Sequence, residues 1–513
     1  MGSKNDVELG TAPANQVEFS IPKDGDNAAA KVLESDQLGF TEEESNAVLR
    51  KIDLRILPLA AVACGLQYVD KAGLGSAATY GLREDLGLVA QEYSWCVSIF
   101  FFGALLGSAL VGRVLQYFHV GKVLAVAYFC WGITLLGCIG AKGFATLAAM
   151  RFLLGLFESV LVPGLLMITT MWYTHREQPS RLGVWTVLNG ALPIPFLMVF
   201  YGLGKVESGP LSSWQLIFLL LGLCSCLMGV VLWFFMPDSP EGVKWLNERE
   251  KVVAIARIAK DQTGIKNTTF KWPQFREAML DIRVWLITFS MFFAQAAGSV
   301  QTNFLGIIIK GFGYTALKAQ LYSAPAYALQ VAVVLLVSFP PTYVRQLRNY
   351  KQPLTAFATC FAVVGCAILY VTPAEEQYKQ RRFAGVTMIA FATANYNVIM
   401  SVIGANIGGF TKKAVTTSMT FVAYCVINIV CPQTFLNSES PRFHTGLTFV
   451  MSVLSIFICI MGTQWTLMQA ENRRRDKKAL TDPAYATGDM SEEIVSGLQD
   501  QTDKENKRHR YSP

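Results

Sequence analysis

The sequence predicts an all-α membrane protein with twelve transmembrane helices in two pseudo-symmetric six-helix bundles. Three observations predict it. Of 513 residues, 52% are hydrophobic and 16% charged, and the mean hydropathy is +0.36, too apolar for a soluble chain of this length. Twelve stretches reach the roughly 20 predominantly apolar residues that a helix needs to cross a bilayer. A charge-dense segment, residues 238–283, separates the sixth stretch from the seventh, as in a transporter built from two similar halves.

Residues 1–50 are polar and are expected to form a disordered cytosolic tail. They hold no apolar run that could act as a cleaved signal peptide, and Asp6 stands where a myristoylation signal needs Ser or Thr. The first bundle, residues 51–237, has spans expected near 55–78, 92–112, 121–141, 144–172, 182–204 and 213–236. The cytosolic linker 238–283 contains Glu248-Arg-Glu-Lys251. The second bundle, residues 284–470, has spans expected near 284–309, 319–343, 353–373, 383–409, 414–437 and 445–469, and 471–513 forms a second cytosolic tail.

Lys and Arg beside the spans set the orientation. Arg50, Lys51, Arg55, the linker and the cluster Arg473 to Lys478 share one side when the span count is even, and that side should be the cytosol. The sequon Asn267-Thr-Thr269 would then stay unglycosylated. The net charge of +7 is accounted for in this way, so no nucleic acid is expected. The eleven cysteines lie in apolar segments without a CxxC pair, and the four histidines are scattered, so no metal site or cofactor is expected. No nucleotide-binding or hydrolase motif occurs, which argues against an enzyme. The expected partners are the lipid bilayer, protons and a small molecule, and the expected state is a monomer.

Charges inside the spans mark the site. Arg151 and Glu158 stand seven residues apart in an apolar stretch; at about 100° per residue they share a helix face about 10 Å apart, with Gly155 between them. An ionisable group at bilayer depth costs roughly 2.5 to 3.5 kcal/mol or more and normally faces a wet cavity or the bundle interior. A structural pair locking two helices is the other reading. Span 1 carries Asp70 and Lys71 at a depth where Asp70 can bridge to Arg151. That bridge would leave Lys71 and Glu158 without obvious partners, so that Lys71 either receives an anion or snorkels to the interface. Amides at Gln295 and Asn303 in span 7 and at Asn395 and Asn397 in span 10 can complete a site or serve as interhelical contacts.

Several stretches together carry a resemblance to a known family. They are Gln67-Tyr-Val-Asp-Lys71, Gln91-Glu-Tyr-Ser-Trp95, Arg151-Phe-Leu-Leu-Gly-Leu-Phe-Glu158, Trp172-Tyr-Thr-His-Arg-Glu-Gln178, Phe410-Thr-Lys-Lys413 and Cys431-Pro-Gln-Thr-Phe435. The sequence resembles a major facilitator superfamily transporter of the fungal allantoate permease branch, within the anion:cation symporter group. The resemblance implies alternating access, a substrate held between the bundles, and a cavity lined by spans 1, 4, 7 and 10, which ranks Gln295, Asn303, Asn395 and Asn397 above other amides. It further implies an acidic residue at Asp70, Lys71 as the cation for the substrate carboxylate and proton coupling at Glu158. Asp70 is expected to join Glu158 in proton coupling, and Arg151 to join Lys71 in binding the substrate. Span 5 departs from the branch with Pro193 and Pro195, which imply a kinked or broken helix. The expected function is proton-coupled symport of a small organic anion, a carboxylate, across the plasma membrane with both termini cytosolic. The alternatives are an exporter of a fungal secondary metabolite, which the divergent cavity elements would suit, and a transporter-like nutrient sensor.

Overall fold

In hydrocarbon a backbone has no water to bond, so apolar segments of this length persist only when each amide is paired inside a helix or a closed barrel. The computed structural model describes residues 41–174, 177–206, 209–261, 270–338, 340, 344–482, 485 and 501–512. The expectations for residues 1–40 and Asn267 lie outside the described residues. Twelve helices are long and apolar enough to cross a membrane. In the first half they are span 1 (Glu42–Thr79), span 2 (Glu92–Tyr117), span 3 (Val120–Cys138), span 4 (Phe144–Trp172), span 5 (Ser180–Leu203) and span 6 (Ser213–Phe235). The second half has span 7 (Ile282–Asn303), span 8 (Ala316–Val337), span 9 (Lys351–Val371), span 10 (Glu376–Asn406), span 11 (Phe410–Gln433) and span 12 (His444–Ala479).

Two ends differ from the sequence expectation, for local reasons. Span 1 starts at Glu42, inside the stretch expected to be a disordered tail. There Thr41 and Glu44 form a reciprocal cap: the Thr41 hydroxyl accepts from the Glu44 amide at 3.2 Å and the Glu44 carboxylate from the Thr41 amide at 3.3 Å. Span 12 continues past residue 470 to Ala479 as an amphiphilic extension. The break expected in span 5 falls at Leu192, where one helix ends at Ala191 and the next begins at Pro193. Span 4 is interrupted at Ser159 and Val160, one turn before Pro163, whose ring cannot accommodate the carbonyl four residues back.

Glycines set how closely the helices cross. A Cβ on Gly155 would lie 1.9 Å from the Phe100 carbonyl oxygen, and one on Gly103 would lie 2.1 Å from that of Phe152. Spans 2 and 4 therefore touch backbone to backbone, which turns the Arg151–Glu158 face of span 4 inward. Gly75 does the same between halves, 2.7 Å from the Thr302 carbonyl oxygen.

Hydrogen bonds joining the halves run from the level of Tyr68 to the end opposite the linker. Tyr93 donates to the Asn303 carbonyl at 2.7 Å, Ser98 to that of Ile429 at 2.8 Å, and Lys310 to that of Thr79 at 3.1 Å. Gln320 donates to the Ser76 hydroxyl at 2.8 Å, and Arg83 bonds Asn437. At the linker end each half holds its own piece of linker. Helix Glu248–Asp261 binds the first half through Lys51–Glu250 at 2.6 Å and Arg257–Glu177 at 2.5 Å. Helix Trp272–Leu280 binds the second, the side-chain oxygen Oε1 of its Gln274 accepting from the Thr411 backbone amide at 3.0 Å. The halves are thus closed against each other at the end far from the linker.

Gly155→Ala should force spans 2 and 4 apart, at the 1 to 3 kcal/mol or more typical of overpacking, and lower both the monodisperse yield and the melting temperature of the purified protein. Gly112→Ala, where no neighbour lies within 4 Å of the new methyl, should leave both unchanged.

Candidate functional site

Asp70 and Lys71 are consecutive on span 1, so their side chains diverge by about 100°. Lys71 points between the halves and Asp70 points back into its own. The Lys71 ammonium lies 2.6 Å from Oε1 of Glu158 on span 4 and donates to the Tyr424 hydroxyl of span 11 at 3.4 Å. It also stands 5.8 Å from the ring centre of Phe100 and 5.9 Å from that of Tyr424. Gln67, one turn before Lys71 on span 1, donates to the same Glu158 oxygen at 2.7 Å. Oε2 of Glu158 is buried and has no hydrogen-bond partner.

Asp70 is 1% exposed and accepts from the indole of Trp131 on span 3 at 3.0 Å, with its other oxygen unpaired. Arg151 is 2% exposed. It lies 5.2 Å from the Phe100 ring centre, and its Nε and Nη1 have no hydrogen-bond partner. The bridge considered from the sequence, Asp70 to Arg151, is therefore replaced. The ion pair within bonding distance is Lys71–Glu158, and the oxygen of Asp70 that is bonded is taken by Trp131, not by Arg151. The reason is rotational: of two adjacent residues on one helix only one can face span 4 squarely.

All four charges are brought into one region, held by spans 1 and 4 and walled by Phe100, Trp131 and Tyr424. Sequence reasoning did not single out Tyr424, Gln67, Trp131 or Gln330 for the site. Gln330 of span 8 accepts from Gln301 of span 7 at 2.7 Å and from Tyr68 at 3.4 Å, which extends the polar contact between halves beside Lys71. Tyr396 packs edge-on to Tyr424, ring centres 6.2 Å apart. Gln67 precedes Lys71 by one helical turn in the stretch Gln67-Tyr-Val-Asp-Lys71, and that spacing is the signal the sequence offers.

The span 7 and span 10 amides divide. Asn303 is buried, and its amide donates to the Ser299 carbonyl of its own helix at 3.0 Å, in the region where the far ends close. Asn395 is buried and accepts from Thr359 of span 9 at 3.1 Å. Gln295, at the break of span 7, and Asn397 are partly exposed.

The fold has counterparts among solved structures. It matches the xylose transporter XylE from E. coli, in a partially occluded inward open conformation, with a TM-score of 0.59 over 80% of this chain and 96% of that chain at 13% identity. In sequence, the chain is 31% identical to an uncharacterized transporter of Schizosaccharomyces pombe over 95% of this chain and 91% of the relative. It is 29% identical to the allantoate permease of Saccharomyces cerevisiae over 95% of this chain and 90% of that protein. The family profile described as Major Facilitator Superfamily matches residues 60–432, from inside span 1 to the end of span 11. The chain is therefore a membrane transporter, not an enzyme, and it belongs to the Major Facilitator Superfamily.

Proposed function

We propose that the chain is a proton-coupled carrier of a small carboxylate, and the observation that carries this reading is the Lys71–Glu158 ion pair at 2.6 Å beside Arg151, whose buried Nε and Nη1 have no hydrogen-bond partner. The buried region holds two acids, Asp70 and Glu158, and two bases, Lys71 and Arg151, so it is neutral with every group ionised. Protonating Glu158 breaks the pair and leaves one uncompensated positive charge. A monoanion bound at Lys71 and Arg151 restores neutrality, so proton and anion enter together, one for one. Either alone would bury an unbalanced charge, which is costly in a low-dielectric site. Asp70, held by Trp131, is the second acid of the set, and it either stays ionised to balance Arg151 or takes the proton in place of Glu158, with the one-for-one balance unchanged.

The Lys71–Tyr424 contact links this event to the second half, because Tyr424 belongs to span 11. An anion taken up by Lys71 displaces that contact and lets the halves rock about the site, as alternating access requires. Partly exposed Gln295 and Asn397 contact the polar part of the substrate, and Asn303 and Asn395 shape the walls. The basic residues that flank the spans at the linker end support a cytosolic position for that end and for both termini, in a carrier of the plasma membrane. A carboxylate such as allantoate, named for one of the relatives, is the first probe to offer.

In proteoliposomes Glu158→Gln should still bind and exchange radiolabelled carboxylate, since the amide mimics the protonated acid. Accumulation against an imposed pH gradient should disappear. A glutamine variant that still concentrates substrate when the gradient is applied would reject the coupling.

Lys71→Gln should raise KM for the anion about tenfold or more, a loss of roughly 1.4 kcal/mol, with abundance near normal, and Lys71→Arg should keep part of the activity. The double variant Lys71→Gln/Glu158→Gln should melt higher than the sum of the single losses implies, with a coupling of about 1 to 3 kcal/mol. Strictly additive melting losses would mean that the two side chains do not interact.

A further inference from the structure

A second buried charge cluster lies at the linker end of the second half, and one of its members comes from the C-terminal segment 501–512. Lys412, in the first turn of span 11, is 0% exposed. Its ammonium is held by Asp503 at 2.6 Å, Asp281 at 2.7 Å and Glu277 at 2.9 Å. Glu277 belongs to linker helix Trp272–Leu280, and Asp281 caps span 7. Burial would push the Asp281 carboxyl up, but hydrogen bonding and attraction from Lys412 outweigh it and hold that carboxyl below its usual range.

The segment is fastened along its length. The Tyr511 hydroxyl donates to Asp503 at 2.8 Å, and the Arg283 guanidinium sits 4.1 Å from the Tyr511 ring centre. Ser512 and Asn406, the last residue of span 10, exchange two hydrogen bonds at 2.6 and 2.9 Å. Tyr511 and Asn472 of span 12 exchange two at 2.8 Å. Arg475 donates to the Asp503, Asn506 and His509 carbonyls at 2.9 to 3.0 Å. A Cβ on Gly408, between spans 10 and 11, would lie 2.7 Å from the Asp503 amide nitrogen, so the absent side chain is what admits the segment.

The charges show that this attachment can be undone. On the body of the protein Glu277 and Asp281 hold Lys412, and the segment brings Asp503 and the partly exposed Lys504, the latter 3.3 Å from Asp281. The Arg283 guanidinium faces the segment, 3.6 Å from Asp503. When the segment leaves, Lys412 keeps two carboxylates, and Arg475 keeps Glu471 at 2.9 Å. Arg283 gives up Asp503 and Tyr511, but its side chain is 16% exposed and water can take their place, so undocking differs from splitting an ordinary fully buried pair.

We propose that residues 501–512 are a detachable intramolecular latch that ties the linker-side ends of spans 7, 10, 11 and 12 into one cap and so holds the carrier in the arrangement closed at the far end. Closing the linker end requires these span ends to bend toward the first half. The docked segment opposes that bending by joining them to one another and to linker helix Trp272–Leu280 within the second half, and its release lets them bend.

The test is hydrogen exchange by mass spectrometry on three proteins in nanodiscs: the full chain, a chain truncated after residue 500, and Asp503→Asn. Release of the latch should make amides at 404–413 exchange about tenfold faster in the truncated chain. It should also speed exchange at the far-end seam, residues 72–79, 93–98, 302–306 and 429–437, because the far end now opens more often. Asp503→Asn should move both regions in the same direction by less. Faster exchange at 404–413 with an unchanged seam would overturn the proposal and make the segment a local cover. So would a truncated chain that aggregates together with an Asp503→Asn chain that exchanges like the wild type, since the segment would then be part of the core.

Discussion

The cost of an unbalanced charge in hydrocarbon governs this structure. Asp70, Lys71, Arg151 and Glu158 can lie together inside the membrane only as a neutral set. The crossing of spans 2 and 4 at Gly155, the indole on Asp70 and the amide on Glu158 all hold that set in place. Lys71 is the member that touches both halves, so a change in the charge of the set is felt across the boundary that must move.

Much of this was legible because charge in an apolar segment is conspicuous. Arg151 and Glu158 share a face by spacing alone, and the span count follows from apolar length. What could not be read was who bonds whom. An Asp70–Arg151 bridge and a Lys71–Glu158 pair suit the sequence equally well; rotation of span 1 decides between them, and that rotation is fixed by contacts such as Gly73 against Leu221 and Gly75 against Thr302. Amides are worse. Asn303 spends its donor on its own helix and Asn395 reaches span 9, yet in sequence each looks the same as an amide that faces a cavity.

Tyr424 and Gln330 went unnoticed for the same reason, since an aromatic or an amide in a span acquires meaning only from the helix opposite. The cluster around Lys412 shows the limit differently. The stretch Phe410-Thr-Lys-Lys413 belongs to the family resemblance, but Asp503, the partner of its Lys412, lies in a polar tail whose composition suggests solvent and is nonetheless buried. A tail of this composition docks because a few specific residues, Asp503, Tyr511 and Ser512, find partners in the span ends.

The seam at the far end has an energetic consequence for turnover. Several of its bonds run from a hydroxyl or ammonium to a backbone carbonyl: Tyr93 to Asn303, Ser98 to Ile429, Lys310 to Thr79. When that end opens, water enters and can replace each partner, so a bond of this kind contributes only about 0.5 to 1.5 kcal/mol net, somewhat more for the charged donor. Opening that end therefore exchanges these bonds for bonds to water instead of losing them outright, so the hydrogen bonds of the seam account for only a small part of what holds the end shut.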